Sequence, residues 1–147
     1  MKPSLKIKLF YLLLFVFVLI SHNCKKDKQD LIPNTYVNFY INISSTQYLG
    51  LNNIGGSVYV SGGVRGIIIY RRSNDEFLAF ERDCPYHPSN SCALIQVDKS
   101  GVTATDTCCG SQFLLLDGSI VKGPATIIMK QYQTSFDGTT LHVFSQY

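Results

Sequence analysis

From residue 36 onward, short runs of apolar and β-branched residues alternate with turn residues. The runs at 36–43, 57–60, 66–71, 77–81, 93–97, 112–116, 119–122, 127–135 and 141–144 read as strands. The punctuation between them is Gly55-Gly56, Gly62-Gly63, Asp117-Gly118 and Asp137-Gly138. Asp-Gly between apolar runs predicts two-residue type I′ hairpins, with positive φ at both central residues. The pattern therefore pairs 113–116 with 119–122, and 127–135 with 141–144. After the first two dozen residues no window carries a clean 3.6-residue period. Strand, turn, strand at intervals of roughly ten residues predicts an all-β domain, a compact antiparallel sandwich or barrel.

The N-terminal pattern is different. Lys2, Lys6 and Lys8 precede an unbroken apolar run at residues 9–20, and Ser21-His22-Asn23-Cys24 follows. As a helix that run would reach about 18 Å, short of the ~30 Å hydrocarbon core. It fits a secretory leader better than a membrane span. The end of the leader resembles a bacterial lipoprotein signal, in which the first mature residue is a lipidated cysteine; here that residue would be Cys24. An uncleaved anchor, or an ordinary signal peptide cut near Ser21, are the alternatives. The expected organisation is a signal peptide at 1–23, a polar tether at 24–34 and a β domain at 35–147. It places the protein in the bacterial cell envelope, anchored to the membrane and facing the periplasm or the exterior.

Composition changes this picture in two ways. The net charge of +3 comes from those three leader lysines, so the rest of the chain is neutral. A face that tracks phosphates needs clustered excess Lys and Arg, so nucleic acid is not an expected partner. Besides Cys24 the chain has Cys84, Cys92, Cys108 and Cys109, and an even number in an oxidising compartment favours disulfides.

These cysteines fall in two loops. The first is Asp83-Cys84-Pro85-Tyr86-His87-Pro88-Ser89-Asn90-Ser91-Cys92, and the second is Thr107-Cys108-Cys109-Gly110-Ser111. The second runs into Gln112-Phe113, the Asp117-Gly118 hairpin and Gly123-Pro124-Ala125. This order of features, from about Gly55 to the C-terminus, resembles a Rieske domain. That family carries Cys-x-His in one loop and Cys-Pro-x-His-Gly-Ser-x-Phe in the other, with a hairpin and a Gly-Pro-Ala turn behind. The resemblance implies a Rieske-like antiparallel β-sandwich or barrel with two loops converging at one tip. It also implies a 2Fe–2S cluster with two Cys on one iron and two His on the other.

Matched position by position, Cys84 falls on the first ligand cysteine and Tyr86 on the first histidine, with His87 one residue late. Aligning Gly110-Ser111 puts the second ligand cysteine on Asp106 and the second histidine on Cys109. Cys108 then falls where some members carry a disulfide across the two loops, with Cys92 as its partner.

Three readings of the loops stay open. Cys84, His87, Cys108 and Cys109 could ligate a cluster, making the chain an electron carrier for a redox partner. The four cysteines could instead be oxidised, Cys92 with Cys108 and Cys84 with Cys109, giving a cluster-free, disulfide-stapled binding or structural lipoprotein. A mononuclear metal such as zinc would accept Cys and His at these spacings.

Other positions read as structural. His142 lies in a strand pattern as a packed or exposed bystander. Arg65, Arg71 and Arg72 flank the Ile67-Ile68-Ile69-Tyr70 run and read as solvated edge positions. Vicinal Cys108-Cys109 lacks the C-x-x-C spacing of thiol oxidoreductases. The chain contains no G-x-S-x-G, no complete phosphate loop and no H-E-x-x-H. Catalysis by this chain alone is not expected.

Overall fold

Two runs, Ile67-Ile68-Ile69-Tyr70 and Phe77-Leu78-Ala79-Phe80, are apolar at consecutive positions, which a strand tolerates only when both of its faces are covered. They form the centre of the architecture. The computed structural model describes residues 31–146. The expected leader, Cys24, most of the tether and Tyr147 lie outside the described residues. Among the described residues no helix is long and apolar enough to cross a membrane.

The described chain is almost entirely β. Its strands are β1 (Asn38–Asn42), β2 (Ser57–Val60), β3 (Ile67–Arg71), β4 (Phe77–Glu81), β5 (Ile95–Val97), β6 (Thr103–Asp106), β7 (Gln112–Leu114), β8 (Ile120–Lys122), β9 (Gln131–Phe136) and β10 (Thr140–Phe144). A 3₁₀ helix, Thr46–Leu51, separates β1 from β2. A curled six-stranded sheet has the order β1-β10-β9-β4-β3-β2, and a four-stranded sheet has the order β5-β6-β7-β8, with every pairing antiparallel.

The pleat sends β3 and β4 side chains into two cores. Ile67, Ile69, Phe77 and Ala79 point into the curl, against Ile41, Leu51, Tyr132, Leu141 and Val143. Ile68, Tyr70, Leu78 and Phe80 point the other way, against Ile95, Ala104, Phe113, Leu115 and Met129 of the second sheet region. Each fully buried Ile or Phe contributes about 1.5–3 kcal/mol, so these two strands hold both layers to one frame.

Both Asp-Gly hairpins form, with a different turn chemistry from the one expected. Gly118 and Gly138 take positive φ (76° and 98°), but no non-glycine residue among those described does, so neither aspartate can open a type I′ turn. Each aspartate instead accepts from the backbone ahead of it. Asp117 Oδ1 accepts from Ser119 N at 2.9 Å, and Asp137 Oδ1 from Thr139 N and Thr140 N at 2.9 and 2.7 Å. These are Asx turns closed by a left-handed glycine. Residues 127–130 precede the regular ladder of β9, although Met129 N donates to Gly118 O and Glu81 N to Lys130 O. The sequence pattern missed β6: in Thr-Ala-Thr-Asp only Ala104 is apolar, so the alternation is nearly invisible.

The arginines expected at solvated edges divide. Arg72 is exposed and pairs with Glu76 at 3.0 Å. Arg71 instead clamps backbone, donating to the carbonyls of Leu51, Asn52, Ser73 and Asn74. Arg65 does the same at the candidate site.

Candidate functional site

Strand β4 leaves the core at Glu81 and delivers the first cysteine loop; β6 and β7 carry the second. Glu81 is fully buried, and its carboxylate organises the exit. Its Oε2 accepts from Val64 N (2.7 Å) and Tyr132 Oη (2.7 Å), and its Oε1 from Arg65 N (3.0 Å) and Asp83 N (3.0 Å). Four donors on one buried carboxylate fix the Val64-Arg65 turn to the start of the loop. Burial, and then the bond to Glu81, push the Tyr132 phenol well above its ordinary value.

Arg65 holds the first loop shut. Its guanidinium donates to the carbonyls of Ser91 (2.7 Å), Asn90 (2.7 Å) and Pro88 (3.2 Å), while Nε lies 2.8 Å from Asp83 Oδ1. Burial, opposed by Arg65 and reinforced by the charge of Glu81, pushes the Asp83 carboxyl up to about 6. A bridge between Asp83 and Leu94 closes the base of the loop.

The second loop is a tight reversal. Asp106 N donates to Ser111 O at 2.9 Å and Gly110 N to Asp106 O at 2.7 Å, with Gly110 at φ 78°. Asp106 is buried, and its Oδ1 accepts from Cys108 N at 2.8 Å. The turn thereby aims Cys109 inward and Cys108 outward.

The two loops meet through both kinds of cysteine contact. Cys92 and Cys108 form a disulfide, Cα atoms 5.6 Å apart, on the exposed side. On the buried side the free thiols of Cys84 and Cys109 lie 3.7 Å apart. Cys109 Sγ is also 3.1 Å from Asp106 Oδ2 and 3.1 Å from Ser111 Oγ. Cys84, Asp106 and Cys109 thus offer three ligand atoms within 4.8 Å of one another. Burial, followed by the contact with Asp106, pushes the Cys84 thiol far above its ordinary value.

The expected site residues are therefore divided among three places. Cys84 and Cys109 come together as thiols, not as the second disulfide of the oxidised reading. Cys108 is taken by Cys92 and has no thiolate to offer. His87 is exposed, its ring edge-on to Tyr86 at 4.1 Å, and it does not belong to the three-donor group. Asp106 joins that group although it stood outside the expected ligand set; the loop alignment that put a ligand position on it was the signal. His142 is packed, stacked between Tyr40 and Phe144 with Nε2 2.8 Å from Asn38 Oδ1.

A 2Fe–2S cluster asks for two donors on each of two irons. The described residues gather three donors around one point, and no imidazole is among them. That donor set does not match a cluster held by two cysteines and two histidines.

No family model matches the chain, and no curated protein matches it.

Proposed function

We propose that this chain is a lipid-anchored bacterial envelope protein whose Rieske-like β domain works without a 2Fe–2S cluster, as a binding module with disulfide-stapled loops. One observation carries the reading: the convergent loops present Cys84, Asp106 and Cys109 around a single point, while Cys108 is bonded to Cys92 and His87 stands in solvent. A second iron would have no ligand pair. The order of strands, loops and hairpins supports the Rieske-like architecture, and the basic start, apolar run and Cys24 support the anchor. Two or three acyl chains hold a protein on a bilayer firmly, where one does so marginally.

A binding role has support beside the tip. Leu31, Ile127 and Ile128 are exposed around a cleft of 340 Å³ that reaches Pro85. Apolar side chains left in water next to a rigid loop pair suit a protein partner. The test is an iron and acid-labile sulfide assay on the full chain, purified from membranes without oxygen. The reading expects neither in stoichiometric amount. Two irons and two sulfides per chain would replace it with an electron carrier.

A further inference from the structure

We propose that Cys84, Asp106 and Cys109 form a mononuclear site for a divalent zinc-class metal ion, with a fourth position open to an exogenous ligand. The proposal rests on the cluster-free reading and gives the same tip a chemistry of its own.

The argument is geometric. Two thiolates on one tetrahedral zinc, each at about 2.3 Å, stand roughly 3.8 Å apart. Cys84 and Cys109 hold their sulfurs at 3.7 Å. A disulfide would need about 2.05 Å. Asp106 Oδ2 lies 3.1 Å from the Cys109 sulfur, and all three donor atoms fall within 4.8 Å of one another, close enough to share one ion. The donors sit on two different loops, and each loop is fixed by its own backbone bonds and by the Cys92–Cys108 staple. Ion binding therefore needs little rearrangement.

The surrounding groups have the orientations that ligands need. Cys108 N donates to the other oxygen of Asp106 at 2.8 Å, which turns Oδ2 toward the sulfurs. Ser111 N is 3.4 Å from Cys109 Sγ. Ser111 Oγ accepts from Ala125 N at 2.9 Å, so its own proton can be given to a Cys109 thiolate. Such outer partners typically govern 10–100-fold of a site's affinity. Two sulfurs and a carboxylate favour a borderline-soft ion over magnesium or calcium, which take all-oxygen sites.

Binding balances as an exchange: two thiols give their protons to solvent water, the hydrated ion releases water ligands, and two metal–sulfur bonds and one bond to the Asp106 carboxylate form in their place. No electron moves. Three protein ligands with a vacant fourth position is the arrangement of zinc sites that bind water or a substrate, in contrast to closed structural sites.

The test uses full-length protein isolated without oxygen, titrated with zinc and, separately, with cobalt(II) as the spectroscopic probe. One equivalent should bind, the cobalt form showing sulfur-to-metal charge-transfer absorption and the intense visible bands of tetrahedral coordination. Cys109→Ser and Asp106→Asn should each weaken binding by more than the roughly 10–100-fold expected for Ser111→Ala. Circular dichroism checks that each variant is folded, and Ser111→Ala supplies the informative variant if either ligand change unfolds the domain. Cobalt that binds without sulfur charge transfer, an affinity indifferent to all three substitutions, or a Cys84–Cys109 disulfide in the isolated protein would overturn the proposal. Failure to take up zinc or cobalt in a protein free of iron would overturn it while leaving the cluster-free reading in place; iron with sulfide would overturn both.

Discussion

Gly118 and Gly138 both follow an aspartate at a hairpin tip, yet their surroundings differ. A Cβ on Gly118 would lie 2.9 Å from Phe80 Cε1 and 3.4 Å from Met129 Cβ, whereas one on Gly138 meets nothing within 4 Å. Gly138→Ala should therefore lose only the left-handed backbone cost, about 1–2 kcal/mol. Gly118→Ala should add overpacking of about 1–3 kcal/mol. Equilibrium denaturation checks this; equal losses would show that Phe80 yields without cost. At this scale the sequence was legible where one residue type has a single backbone use, as with these glycines. It was illegible where a side chain serves distant backbone. Nothing local to Arg65 says that its guanidinium will close a loop some 25 residues away. Glu81 ends an apolar run as a solvated strand end would, and only the fold brings Tyr132, Val64 and Arg65 to its carboxylate.

Nine of the ten strands among the described residues were visible as apolar or β-branched runs, and β6 was not. That strand is held instead by a polar cluster on its outer face. Asp98 Oδ2 accepts from Thr103 Oγ1, from Thr105 Oγ1 at 3.0 Å and from Gln112 Nε2 at 3.0 Å, linking the β5–β6 turn to β6 and β7. Burial pushes the Asp98 carboxyl up, and hydrogen bonds from Thr103, Gln112 and Thr105 together outweigh it, so it lies below the usual carboxylate value. A carboxyl lowered on folding stabilises the native state at pH above its unfolded value of 3.8, and the contribution disappears as pH falls through the folded value. Asp98→Asn should thus be less stable than the wild type at pH 7, with the gap closing below pH 3.8. Urea titrations at pH 7 and in that acid range would read it. A gap independent of pH would mean that the cluster acts through shape and not through charge.

On the scale of the whole molecule, the first loop crosses from the six-stranded sheet to the four-stranded one and the second turns within the four-stranded sheet, and the tip exists only while they stay together. The Cys92–Cys108 bond spans 16 residues, and closing a loop of that size stabilises a fold by about 3 kcal/mol through the unfolded chain. Cys92→Ser with Cys108→Ser should lose about that much in denaturant, and Cys84 should label faster with a thiol reagent because its cover has loosened. Unchanged labelling would show that Arg65 and the sheet contacts hold the loops without the staple. Convergence of the loops was expected only through the resemblance to a Rieske domain; the hairpins and turns behind it are local signals and were legible by themselves. The donor set was legible only in part, since which cysteine points inward is decided by Gly110 and by the Asp106 carboxylate, not by spacing. The measurement that bears most directly on the account is the native mass of the full chain, extracted from membranes without oxygen. It should begin at an acylated Cys24, contain one disulfide and carry no iron or sulfide. An added mass of two irons and two sulfides on the folded protein would contradict it.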